Sequence, residues 1–167
     1  GGKPSEMVKD VNNTLCADNP SGFFVTVWFG ILTLSSEELT YVNAGHEYPA
    51  LMHQDGDYEL VKTDNMPPLG TMENLEYVDN VLKLEKGDRM FLYTDGVPEA
   101  KNSEGQRFGT EKMLEVLNHH KNTSPEEMLQ IIKEAVDRFT GESEAFDDIT
   151  MLSFIWHGTD GGNVKSV

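Results

Sequence analysis

The chain carries a single cysteine, Cys16, which excludes an internal disulfide and makes a reducing compartment the expectation. No stretch reaches the ~20 consecutive apolar residues of a membrane span, and none has the pattern of a signal peptide. Basic residues are scarce: 13 Lys and Arg stand against 29 Asp and Glu, for a formal net charge of −16. Such a surface repels nucleic-acid phosphates and anionic lipid alike, so no nucleic acid is expected as a partner. A soluble, cytoplasmic setting is the resulting expectation.

What is present is enough chain, 167 residues, for one domain with a real core. Gly1-Gly2 has the look of a cloning remnant. Gly158 to Val167, opening Gly158-Thr159-Asp160-Gly161-Gly162-Asn163, has the composition of a disordered tail, which leaves residues 1–157 as the domain. From Pro4 to about Ala17 the apolar residues Met7, Val8, Val11 and Leu15 recur at helical spacing, and Pro20-Ser21-Gly22 then breaks the chain. Phe23 to Leu34 is β-branched and aromatic and predicts a long buried strand with a bulge at Gly30. Leu39-Thr40-Tyr41-Val42 returns as its hairpin partner. Ala50 to His53 and Tyr58 to Val61 flank Asp55-Gly56, a dipeptide that favours a primed turn and so a second hairpin. Leu75 to Leu84, the turn Glu85-Lys86-Gly87-Asp88 and the strand that follows predict a third. Repeated antiparallel hairpins mean a sheet or sandwich rather than a doubly wound fold.

Helices close the chain. Thr110 to about His119 places Met113, Leu114 and Leu117 on one face. The next helix opens with Ser124-Pro125-Glu126-Glu127, which supplies an N-cap, a proline at the first helical position and a capping-box glutamate. It carries Met128, Leu129, Ile131, Ile132, Ala135, Val136 and Phe139 as its core stripe and stops at Gly141.

Two strands end in acids. Met90 to Tyr93 form a continuous apolar run, as a strand buried on both faces does, and the run stops at Thr94-Asp95-Gly96. Phe146-Asp147-Asp148-Ile149-Thr150-Met151 reverses the order, acid first and strand second. Aspartate at a strand end is commonly only a turn residue. It also suits hard divalent cations such as Mg²⁺ or Mn²⁺, which want oxygen donors from separate elements. Both readings stand at the level of residue types.

A family resemblance rests on six segments in register. They are Phe24-Val25-Thr26-Val27-Trp28-Phe29-Gly30, Tyr41-Val42-Asn43-Ala44-Gly45-His46, Pro67-Pro68-Leu69-Gly70, Leu92-Tyr93-Thr94-Asp95-Gly96-Val97-Pro98-Glu99-Ala100, Arg107-Phe108-Gly109 and Asp147-Asp148-Ile149-Thr150. In order and spacing they resemble the bacterial PP2C-type serine/threonine phosphatases, in the branch typified by SpoIIE and RsbU. The resemblance implies an α+β fold, an antiparallel β-sandwich flanked by helices in αββα layers. It implies two Mn²⁺ or Mg²⁺ ions in the intact domain, with Asp95 and Asp147 as catalytic metal ligands, Gly96 beside the ions, and Asp148 orienting its neighbour. His46 stands where many relatives carry a metal-binding aspartate, and it reads either as ligand or catalytic acid, or as a structural residue near the site. His53, His119, His120 and His157 read as solvated or packing residues.

One departure shapes the expected function. The family's opening Gly-Asp-Phe/Tyr-Tyr-Asp and Ala-Asp-Val-Ser-Gly-His-Gly type segments do not occur, so the chain resembles the C-terminal two-thirds of the domain and is expected to be a piece of a longer protein. The carboxylate that bridges the two metals belongs to the first of those segments. The parent is then expected to hydrolyse phosphoserine or phosphothreonine on a regulatory protein such as an anti-sigma-factor antagonist. It would carry a sensory or receiver domain upstream, with membrane tethering in some relatives. The fragment alone is expected to be nearly inactive and, with sheet edges unpaired, to tend to form a homodimer. The alternative is a non-catalytic signalling or interaction module of the same fold.

Overall fold

A computed structural model describes residues 2–64, 66–141 and 148–159. In chain order the elements are α1 (Pro4–Ala17), β1 (Val27–Thr33), β2 (Glu38–Ala44), β3 (Ala50–Met52), β4 (Glu59–Leu60), β5 (Asn80–Lys83), β6 (Arg89–Tyr93), α2 (Gly109–His119), α3 (Pro125–Thr140) and β7 (Met151–Ile155). They form two antiparallel sheets with helices, an α+β fold. The chain divides into two compact units, one of Gly1–His46, Thr63–Lys86 and His157–Val167, the other of Glu47–Lys62 and Gly87–Trp156. Of the expected tail, all but Gly158 and Thr159 lies outside the described residues.

The first unit holds the sheet β1-β2-β5 and helix α1. β1 and β2 pair without interruption from Val27↔Ala44 to Thr33↔Glu38, so the expected bulge at Gly30 does not form. Gly30 serves instead as space. A Cβ there would lie 2.8 Å from the Trp28 ring, and that indole stacks on Tyr41 with 5.1 Å between centroids. The strand also starts later than its composition suggests. Val25 exchanges backbone hydrogen bonds of 3.0 and 2.9 Å with Leu69, and the Asn19 carboxamide oxygen accepts from the Phe23 N–H at 2.9 Å. Phe23 and Phe24 are thereby tied to loops and left exposed.

Helix α1 forms where its periodicity places it, but only one residue of its apolar stripe, Val8, is buried. Val8 and Asn12 are buried, while Met7, Val11 and Leu15 are exposed. Asn12 accepts from the Gly70 N–H at 3.0 Å and donates to the Met72 carbonyl at 2.9 Å, which offsets the cost of burying its amide. At the N-terminus of α1, the Ser5 N–H and hydroxyl both donate to the Asp79 carboxylate at 2.8 Å, a negative charge at the positive end of the helix dipole. The buried apolar cluster of this unit is small: Val8, Val42, Ala44, Leu69 and Tyr77.

The second unit holds the sheet β4-β3-β6-β7 with α2 and α3. The expected third hairpin is not made: β5 pairs with β2, whereas β6 pairs with β3 and β7. Burial explains the separation. β5 alternates half-buried and exposed residues, as an edge strand does, while Met90 and Phe91 of β6 are fully buried, as a central strand requires. The β3–β4 hairpin exists, but its turn runs from His53 to Gly56, whose N–H donates to the His53 carbonyl at 2.8 Å. The left-handed residue is Gln54, at φ 45°, rather than the Asp55-Gly56 pair.

Ser124 caps α3 as its sequence predicts, accepting from the Glu127 N–H at 3.2 Å while its own N–H donates to the Glu127 carboxylate at 3.1 Å. Met128, Ile132 and Val136 form the buried stripe of α3. With Met113 and Leu117 of α2 and Phe91 and Tyr93 of β6 they make one core, each large apolar side chain contributing roughly 1.5–3 kcal/mol.

Candidate functional site

Antiparallel pairing of β6 with β7, through to Tyr93↔Met151, brings the C-terminal end of one strand beside the N-terminal start of the other. Hydrogen bonds carry the junction past both strands. The Thr94 N–H donates to the Thr150 carbonyl at 3.0 Å, the Thr150 N–H donates to Thr94 Oγ1 at 3.0 Å, and Thr94 Oγ1 donates to the Asp148 carbonyl at 3.2 Å. Gly96 closes the contact. A Cβ at that position would lie 2.4 Å from the Asp148 carbonyl oxygen, a collision with backbone that no rotamer relieves. Glycine is therefore required here by proximity.

Asp95 sits at the apex of this junction and is exposed. Its turn is fixed by Val97 N–H donating to the Thr94 carbonyl at 3.1 Å and Glu99 N–H donating to the Asp95 carbonyl at 2.9 Å. Beneath it Val97 and Ala100 enter the core. The segment Arg107-Phe108-Gly109 clamps the turn from the side, with Phe108 N–H donating to the Ala100 carbonyl and Gly109 N–H to the Pro98 carbonyl, both at 2.8 Å. Phe108 is itself anchored in the core, edge-on to Phe139 at 5.5 Å. The carboxylate is thus exposed on a mount that packing holds still, as a positioned functional group requires.

At the end of β6 the Tyr93 hydroxyl is buried and has no hydrogen-bond partner among the described residues. Burial, reinforced by the negative charge of Glu47, pushes its ionisation well above the usual phenol range, so Tyr93 stays neutral.

Of the residues singled out in the sequence, Asp95, Gly96 and the Asp148 backbone come together. Asp147 lies outside the described residues. His46 is placed in the first unit, its N–H donating to the Asn43 side-chain oxygen at 2.8 Å. Its neighbour Gly45, at φ 72°, leaves only 2.6 Å between a notional Cβ and Pro68, so two of the motifs exist to pack on each other. Thr94 and Thr150 stitch the acid end together, and nothing in the sequence marks them beyond their place one and two residues from Asp95 and Asp148. His53 is more than a solvated residue: its Nδ1 lies 2.9 Å from the buried Asp88 carboxylate. That carboxylate also accepts from the Gln54 N–H at 3.1 Å.

Among the described residues no three of His, Cys, Asp and Glu gather as a metal-ligand group. A hard divalent cation takes about six oxygen donors. The Asp95 carboxylate is of the right kind for Mn²⁺ or Mg²⁺, but the described donors amount to part of a site and do not by themselves fit an ordered pair of ions. No helix among the described residues is long and apolar enough to cross a membrane.

The family model described as Stage II sporulation protein E (SpoIIE) matches residues 1–157. Protein IcfG of Synechocystis sp. is 33% identical over 130 residues, which cover 78% of this chain and 20% of that protein. Phosphoserine phosphatase RsbU of Bacillus subtilis is 27% identical over 154 residues, covering 89% of this chain and 44% of RsbU. The chain therefore spans less than half the length of either relative. Among solved structures, the PP2C phosphatase domain of the cell-fate determinant SpoIIE from Bacillus subtilis, with a fragment of its regulatory domain, superposes with a TM-score of 0.76 at 20% identity. That match covers 92% of this chain and 44% of the other. The catalytic domain of the serine/threonine protein phosphatase PstP, in complex with two manganese ions, gives 0.67 at 18% identity, covering 93% and 73%. Both likenesses concern the fold.

Proposed function

The chain belongs to the SpoIIE family of PP2C-type phosphatase domains, and from that premise we propose that its parent protein hydrolyses phosphoserine or phosphothreonine on a regulatory protein. The observation that supports this reading best is the junction at which the Asp95 turn is pressed against the Asp148 backbone, 2.4 Å from a notional Gly96 Cβ. It brings two acid-bearing segments far apart in sequence to one end of a sheet. Asp95 and Asp147 are the proposed catalytic metal ligands, with Gly96 giving the ions close access. The ions, Mn²⁺ or Mg²⁺, would supply an activated water and neutralise charge on the phosphoryl group. An anti-sigma-factor antagonist is the proposed substrate type, and an upstream sensory or receiver domain the proposed regulator, in a cytoplasmic signalling setting.

The chain by itself is a different case. Its described donors do not complete a two-ion site, which favours a second reading for the isolated chain: a phosphatase fold that engages partners without turning over substrate. The experiment is paired. The parent, supplied with Mn²⁺, is expected to release phosphate from a phosphoserine peptide, and Asp95→Asn is expected to stop it; a parent inactive with the metal overturns the phosphatase reading. In calorimetry the chain alone is expected to bind Mn²⁺ weakly. Tight binding, or phosphopeptide turnover by the chain, would show that its own residues suffice.

A further inference from the structure

Thr94 and Thr150 stand opposite one another, one step beyond Tyr93↔Met151, the last rung that β6 and β7 form. A hydrogen-bonded antiparallel pair at that step would have each residue's N–H donate to the other's carbonyl. Only half of the exchange runs through the backbone. The Thr94 N–H donates to the Thr150 carbonyl at 3.0 Å, but the Thr150 N–H donates to Thr94 Oγ1, also at 3.0 Å. The Thr94 carbonyl is engaged elsewhere: it accepts from the Val97 N–H at 3.1 Å and so closes the turn that carries Asp95. The hydroxyl thus stands in for the carbonyl in the ladder and releases it to the turn.

The hydroxyl proton goes onward. The Asp148 carbonyl lies 3.2 Å from Thr94 Oγ1. It is nearer than the Thr150 carbonyl, at 3.5 Å, which already accepts from the Thr94 N–H. A hydroxyl offers one proton and two lone pairs. Here it ends the β6–β7 ladder, frees a carbonyl for the Asp95 turn and holds the residue that follows Asp147 in the chain. Serine could do the same, whereas valine, of the same shape, could do none of it.

We propose that Thr94 is a positioning residue, whose hydroxyl sets the placement of the Asp95 turn relative to the Asp147-Asp148 segment and, through that placement, the rate of phosphate-ester hydrolysis. The effect on rate rests on the phosphatase reading; the effect on placement does not. Thr94 takes no part in the chemistry itself.

Two measurements test it. In this chain, free of metal, hydrogen exchange of single amides followed by NMR reads the placement. Thr94→Val leaves the Thr150 N–H either without an acceptor or with the Thr94 carbonyl taken back from Val97. The Thr150 or the Val97 amide should therefore exchange at least tenfold faster, while Met90 and Phe91 in the middle of β6 keep their protection. Thr94→Ser should leave all four as they are. In the parent supplied with Mn²⁺, T94V is expected to lower kcat for a phosphoserine peptide about ten- to hundredfold, the order of loss that a small misplacement brings. KM should stay within about threefold and T94S should restore most of the rate, as positioning requires. If T94V does not fold, T94A serves in both measurements. Unchanged exchange at both Thr150 and Val97 overturns the proposal, and so does acceleration shared equally by Met90 and Phe91, which would make Thr94 a matter of general stability. Full turnover by T94V, or T94S as slow as T94V, overturns it as well. Absent turnover by the unmodified parent would instead strike the phosphatase reading, and the exchange measurement would still decide whether Thr94 sets the placement.

Discussion

The two units solve the problem of cohesion differently. The second encloses its large apolar residues, with Phe91, Met113, Leu117 and Ile132 at zero exposure in one continuous cluster. The first has a five-residue cluster and leaves much of its apolar surface open. Phe23 is 77% exposed, and Met7, Val11 and Leu15 of α1 are exposed as well. An apolar cleft of about 160 Å³ lies between α1 and β1, lined by Met7, Val8, Val11, Val27, Phe29 and Leu69. Polar clamps hold this unit: Asn12 on Gly70 and Met72, Asn19 on Phe23 and Gly70, Ser5 on Asp79. Its edge strand β1 adds a segment, Phe23 to Thr33, without a single charge, where solitary edges are ordinarily protected by charge or proline. Density of apolar packing carries one unit, and directed hydrogen bonds carry the other.

If that contrast is right, substitutions in the two units should differ in size and kind. Phe91→Ala should destabilise most, by roughly 3–5 kcal/mol in denaturant unfolding. Gly96→Ala is expected to cost on the order of 1–3 kcal/mol through overpacking against the Asp148 carbonyl, and in the parent to reduce turnover as well. In the first unit the costly change is polar: Asn12→Ala should lose about 1–3 kcal/mol by orphaning the Gly70 N–H and the Met72 carbonyl. A loss as large as that of Phe91→Ala would break the comparison.

Alkaline titration sharpens it further. Burial raises the ionisation of Tyr41, Tyr58, Tyr77 and Tyr93 above the usual value of 10.0. The folded state therefore keeps protons that the unfolded chain releases. The stabilising contribution is fully present below about pH 10 and is lost as pH climbs beyond it. Tyr93→Phe in the second unit should remove more of that alkaline decline than Tyr41→Phe in the first. The smallest effect belongs to Phe23→Ser, which should change stability by no more than about 0.5 kcal/mol while reducing self-association in analytical ultracentrifugation.

The sequence is legible where a single element carries its own instructions. Helix α3 announces its start with Ser124-Pro125 and its end with Gly141, and both caps form. The continuous apolar run of β6 marks it as a central strand. The sequence misleads where a partner element decides. The periodicity of α1 puts Met7, Val8, Val11 and Leu15 on one side, but of these only Val8 is buried, and the depth of burial is shared with Asn12, whose hydrogen bonds to Gly70 and Met72 the spacing does not show. Gly30 reads as a bulge until the Trp28 indole is seen lying across it, and β5 reads as a hairpin partner of β6 until their different burial separates them. At the candidate site Asp95 and Asp148 are legible as strand-end acids. Thr94, Thr150 and the close approach of Gly96 to Asp148 are not, because they depend on the pairing of β6 with β7.

That pairing also sets a timetable. Thr94 and Asp148 are hydrogen-bonded across 54 residues, so a ribosome adding about 5–20 residues per second delivers the Asp95 turn several seconds before the strand that faces it. Both helices that fill the core are synthesised in that interval. The acid end can therefore be completed only by a chain that already has the material to pack the hydrophobic wall behind it.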